Sequence, residues 1–116
     1  MSARNAEVET EFGDGRYTFR LGLGELEELQ EKCDAGPGFI LGRLMSPRME
    51  WKLEDVRHTI RLGLIGGGMK STEAFKLVER YIDERPAWAE NAKLAQAILA
   101  LAIFGLAEEE AEDPEK

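Results

Sequence analysis

A chain of 116 residues with 15 Lys plus Arg against 23 Asp plus Glu carries a formal net charge of −8. That length fits one domain around a single core, and 43% apolar residues fill such a core without metal or disulfide. The acidic balance argues against phosphate backbones and anionic lipid, so neither a nucleic-acid nor a membrane partner is expected. The lone cysteine, Cys33, has no partner for an internal bridge, which suits a reducing compartment. Met1 to Thr10 is polar and acidic, unlike a signal peptide. The longest apolar or Gly run, Ala97 to Ala107, is about half of the roughly 20 residues that span a bilayer. A soluble cytoplasmic protein is expected.

Residues 1–5 are expected to be a flexible lead-in to a single α+β domain over 6–105. From Ala6 to Leu21 the pattern has period two. Val8, Thr10 and Phe12 alternate with Glu7, Glu9 and Glu11, and Tyr17, Phe19 and Leu21 alternate with Arg16, Thr18 and Arg20. Gly13-Asp14-Gly15 lies between the two runs, its Asp-Gly pair suited to a tight reversal, so the segment predicts a β-hairpin. The outer faces match in charge, three Glu against Arg16 and Arg20. A lone hairpin is marginal in water, so helices must cover its apolar face.

The first helix is predicted over 23–33, with Leu26, Leu29 and Cys33 on one side and Glu27, Glu28, Glu31 and Lys32 on the other. Asp34-Ala35-Gly36-Pro37-Gly38 breaks it. Phe39 to Met45 has room for one or two helical turns, and Met49 to Leu53 alternates like a short extended piece. A helix over 53–65 places Leu53, Val56, Ile60 and Leu64 in one arc, with Leu62 and Ile65 opposite, so it should touch neighbours on two faces. Gly66-Gly67-Gly68 ends it. Ser71 is suited to cap the helix over 72–85, whose Ala74, Phe75, Leu77, Val78, Tyr81 and Ile82 share one side. Pro86 is suited to the first turn of a last helix over 87–104. Trp88, Asn91, Leu94, Ala95, Ile98, Leu99 and Ala102 share its broad face, and Ala97 to Phe104 is apolar all round. Residues 106–116 read as a disordered acidic tail, Glu108 to Lys116 holding six acids and one base. The expected fold is an N-terminal β-hairpin packed against a small bundle of about four helices.

No constellation for catalysis emerges. Gly63 to Thr72 nearly spells a phosphate-binding G-x-x-x-x-G-K-[ST] loop, but Met69 stands where the Gly before Lys70 is required, and the residues before it have helical periodicity. A helix stop, link and cap is the better reading. His58 with Glu54 or Asp55 supplies too few ligands for a metal site. Cys33 and His58 belong to no nucleophile signature. No catalytic residue, cofactor or metal is expected, and the chain reads as a non-enzyme. What remains is apolar surface: Met45, Met49 and Trp51, Leu62 with Ile65, and Ile103 with Phe104. Core packing accounts for each group alone, but together they exceed what a hairpin and four short helices need. They are therefore the candidate partner-binding residues, for another protein or for self-association into a homo-oligomer.

The order of these pieces resembles the tail assembly chaperone family of phages and gene transfer agents. The resemblance rests on the hairpin from Glu7 to Leu21 with its short Gly turn, and on Gly-Leu-Gly-Glu-Leu-Glu-Glu-Leu at Gly22 to Leu29. It continues through the Leu-x-x-Val helix into Gly-Leu-Ile-Gly-Gly-Gly at Gly63 to Gly68, then Ser71-Thr72-Glu73. It covers residues 6–104, departing in the longer stretch around Pro37 to Trp51 and in the acidic tail. It implies a non-enzymatic tail assembly chaperone that binds the tape-measure protein, the tail tube protein or both through apolar helix faces during tail morphogenesis, in the bacterial host cytoplasm. The implied partners are the tape-measure protein and the tail tube protein, and the implied alternative is a permanent structural component of the tail. A small helical regulator ranks last, since no helix is predominantly basic.

Overall fold

The computed structural model describes residues 6–105. Strands β1 (Glu7–Phe12) and β2 (Gly15–Arg20) form the antiparallel hairpin, with Val8 opposite Phe19 and Thr10 opposite Tyr17. Glu7 faces Arg20 and Glu11 faces Arg16 on the other side, the charge match expected from the alternation. Phe12 pairs with Gly15, so the reversal is made by Gly13 and Asp14 rather than by Asp14-Gly15. Gly13 takes the positive φ, +62°, and a Cβ there would lie 2.6 Å from the Tyr81 ring. Glycine is required by both the backbone and the close approach.

Five α-helices follow: α1 (Leu23–Cys33), α2 (Pro37–Met45), α3 (Leu53–Gly66), α4 (Ser71–Val78) and α5 (Trp88–Phe104). Hairpin and helices together make the α+β architecture expected from the sequence. α2 is a full nine-residue helix opened by Pro37, whose fixed φ and missing N–H suit a first turn. The extended piece expected at Met49 to Leu53 does not form. Met49 holds φ +56°, outside the strand region, and α3 begins at Leu53. The predicted 72–85 helix is split, because α4 gives way to a π-helical turn at Glu79–Asp83. That wider turn buries Ile82 and leaves Tyr81 packed edge-on against Phe12, ring centres 6.2 Å apart. Pro86 does not open α5. Ala87, at φ +71°, intervenes before Trp88.

α3 is the hub: α5, β2, α1, α4 and α2 all pack on it. Val56, Ile60, Leu62 and Leu64 are buried, so the helix meets neighbours on two faces as its pattern predicts. Leu53, expected in the buried arc, is instead about half exposed at the helix start. The core joins these residues to Phe12, Phe19 and Leu21 of the hairpin, Leu29 and Cys33 of α1, Ile40, Leu41 and Leu44 of α2, and Ile98 and Leu99 of α5. Each such apolar side chain contributes roughly 1.5–3 kcal/mol on burial.

The Gly-rich end of α3 is a packing joint. A Cβ on Gly66 would stand 1.9 Å from the Arg20 carbonyl oxygen, and one on Gly67 2.0 Å from that of Thr18. β2 therefore occupies the space that a phosphate-cradling loop needs to keep open. The expectations for residues 1–5 and 106–116 concern segments outside the described residues.

Candidate interaction surface

Seven residues were singled out by sequence, and the structure separates them by burial. Leu62 is 1% exposed and belongs to the core, so the expected surface patch of Leu62 with Ile65 is corrected. The reason is the central position of α3, whose second apolar side is covered as fully as the first. Ile65 and Trp51 are partly buried and pack on the core. Met45 (55%) and Met49 (64%) are exposed, as are Ile103 (37%) and Phe104 (63%) at the end of α5.

Phe39 (66%) and Leu53 (49%) stand in the same stretch as the methionines. Between Phe39 and Leu53 the chain thus presents four large apolar side chains to solvent. Sequence reading missed Phe39 and Leu53 because both fit an apolar helical face. In α2 the buried positions are Ile40, Leu41 and Leu44, which turns Phe39 outward with Arg43 beside it. The Arg43 guanidinium lies over the Phe39 ring at 5.1 Å.

This apolar stretch sits on a fixed platform. Asp55 is fully buried and accepts two hydrogen bonds from Arg43, from Nε at 2.8 Å and Nη2 at 2.7 Å. It also accepts the Lys52 backbone N–H at 2.8 Å, satisfying a free donor at the start of α3. The planar fork matches a carboxylate in a way that a lysine cannot. Lys52 Nζ donates to the Cys33 carbonyl at 3.3 Å, tying the connector to α1. Burial, reinforced by Asp55, pushes the Cys33 thiol up to about 12, so the thiolate a nucleophile needs is suppressed.

His58 is held neutral. Its pKa falls to about 4, first through burial and then through Arg61, Arg57 and Lys32. Arg61 donates to His58 Nδ1 from Nε at 3.3 Å and lies near Glu28 at 3.4 Å. Among the described residues no group of three or more His, Cys, Asp or Glu is placed to hold a metal ion. No helix among them is long and apolar enough to cross a membrane.

The Phe39 to Leu53 stretch thus offers exposed apolar contact area. No curated protein and no solved structure matches the chain. Residues 5–105, all but the first four and last eleven, match the family described as phage tail tube protein, GTA-gp10. The chain belongs to that phage and gene transfer agent tail family.

Proposed function

We propose that this protein is a non-enzymatic structural component of a phage-like tail, retained in the particle, and that it docks on other tail proteins through the Phe39 to Leu53 segment. The observation that carries the reading is the exposure of Phe39, Met45, Met49 and Leu53 on a base fixed by the Arg43–Asp55 pair. Apolar side chains held in place without a partner lower the ordering cost of association. The family description, a tail tube protein, supports retention in the tail better than departure from it.

The second reading is an assembly chaperone that covers the tape-measure protein and then leaves. Met45 and Met49 favour it, since flexible thioether side chains adapt to varied apolar surfaces and suit transient contacts. The net charge of −8 would keep such a complex soluble. Both readings place the work in the bacterial host cytoplasm, where tails are built. Mass spectrometry of purified particles, together with co-expression and pull-down of the tape-measure and tube proteins, separates them. Retention at a fixed ratio to the tube protein supports the structural component. Binding during assembly with absence from particles supports the chaperone.

A further inference from the structure

Between α1 and α4 lies a second feature that the tail-docking reading does not use. α1 and α4 each pack on α3 but make little or no contact with each other, leaving a trough of about 490 Å³ between them. Glu28 and Lys32 line it from α1, His58 and Arg61 from α3, and Ser71, Thr72, Phe75 and Lys76 from α4. Three of these side chains are cations in a protein whose net charge is −8. The one carboxylate, Glu28, is already paired with Arg61 at 3.4 Å. Lys32 and Lys76 are exposed, and neither makes a salt bridge or side-chain hydrogen bond to another described residue. Phe75 adds an apolar wall, 58% exposed although α4 has a buried face in Ala74 and Val78.

An oxyanion alone would leave Phe75 uncovered, and an apolar helix alone would leave two lysines unmatched. We infer that the trough is a docking site for an acidic segment of a protein partner, one whose carboxylates meet Lys32 and Lys76 while a neighbouring apolar side chain covers Phe75. Opposite charge across such a site steers encounter and fixes register, and the aromatic contact supplies the area removed from water. In the free protein His58 is uncharged at neutral pH and Arg61 is matched by Glu28, so the attraction comes from Lys32 and Lys76.

The test uses the full chain and a fluorescein-labelled synthetic peptide of Glu-Glu-Leu repeats, read by fluorescence anisotropy. Wild type should bind it, and added salt should weaken binding. The variant Lys32→Glu/Lys76→Glu should bind at least roughly tenfold less tightly, since two reversed charges remove about 1.4 kcal/mol or more. Phe75→Ala should lose several-fold while keeping the salt dependence. Lys32, Phe75 and Lys76 are exposed, so these variants should stay folded, the charge variant losing only a few degrees of Tm because both lysines sit in the last turn of a helix. Absence of binding, or equal binding by the charge variant, overturns the inference. So does displacement by inorganic phosphate at equal concentration, which marks a simple oxyanion site. A higher affinity when Glu108, Glu109 and Glu110 are changed to Gln assigns the trough to the chain's own tail. A wild-type dimer that the charge variant dissolves assigns it to a second copy. Either result overturns a separate partner. The outcome is independent of whether the Phe39 to Leu53 segment binds tail proteins.

Discussion

Gly66→Ala tests the joint between α3 and the hairpin. The added Cβ would sit 1.9 Å from the Arg20 carbonyl oxygen, 2.9 Å from its carbon and 3.1 Å from Glu25 Oε1. Ordinary contact begins near 3.4 Å, so the end of α3 and β2 must separate by about 1.5 Å. The opposing atom is backbone and has no rotamer to change. Separation would loosen Phe19, which is fully buried at the same interface, and disturb the 2.8 Å bond from the Gly22 N–H to Glu25 that caps α1. Overpacking costs typically 1–3 kcal/mol, and forced backbone movement puts this case at about 3 kcal/mol or more. For a domain of this size that lowers Tm by ~12–24 °C in a calorimetric melt. Gly42→Ala is the control, because nothing lies within 4 Å of its added Cβ and its helical site favours Ala by roughly 0.5–1 kcal/mol. If Gly66→Ala melts with wild type, the end of α3 and β2 do not meet closely enough at this joint to put the added Cβ 1.9 Å from the carbonyl oxygen.

Asp55→Ala leaves the Arg43 guanidinium, its side chain only 15% exposed, without its carboxylate and frees the Lys52 N–H. It should cost about 3–5 kcal/mol by urea denaturation, whereas an exposed pair such as Arg16–Glu9 should cost under about 1 kcal/mol. Leu62→Asp should abolish cooperative folding, because a buried carboxylate with no partner replaces a core side chain; a folded Leu62→Asp protein would overturn its core assignment. His58 has a folded-state pKa near 4 against an ordinary 6.5, so protons favour the unfolded chain. Stability should hold above pH 6.5 and fall between pH 6.5 and 4, and His58→Gln should flatten that part of the urea-midpoint profile.

The hairpin was legible because period-two alternation and a Gly turn each signal it independently. α3 was legible as a two-faced helix, yet two covered faces left no side of Leu62 for a partner. What escaped is long-range by nature. Gly66 and Gly67 read as a helix stop because nothing local says that β2 will lie against them. Asp55 carries no local sign of its burial, since its bond to Arg43 joins residues on different helices. At the π turn Glu79–Asp83, Tyr81 packs on Phe12 and Gly13, residues nearly seventy positions earlier in the chain, so no local pattern announces the turn. Of the candidate surface, Met45, Met49, Ile103 and Phe104 are exposed where the sequence offered them as contacts, while Phe39 and Leu53 emerge only once α2 and α3 are oriented.

Docking of the Phe39 to Leu53 segment on other tail proteins, as proposed, can be measured directly. The measurement is a quantitative pull-down from cells making the neighbouring tail proteins, with wild type and a Phe39→Asp/Met49→Asp variant as bait. Both residues are more than 60% exposed, so the variant should lose no more than a few degrees of Tm, the Arg43–Phe39 contact being worth about 0.5–1 kcal/mol at an exposed site. Losing two apolar anchors of roughly 1–2 kcal/mol each should reduce captured tail protein by about tenfold or more. Equal capture by the two folded baits would show that this segment does not carry the docking.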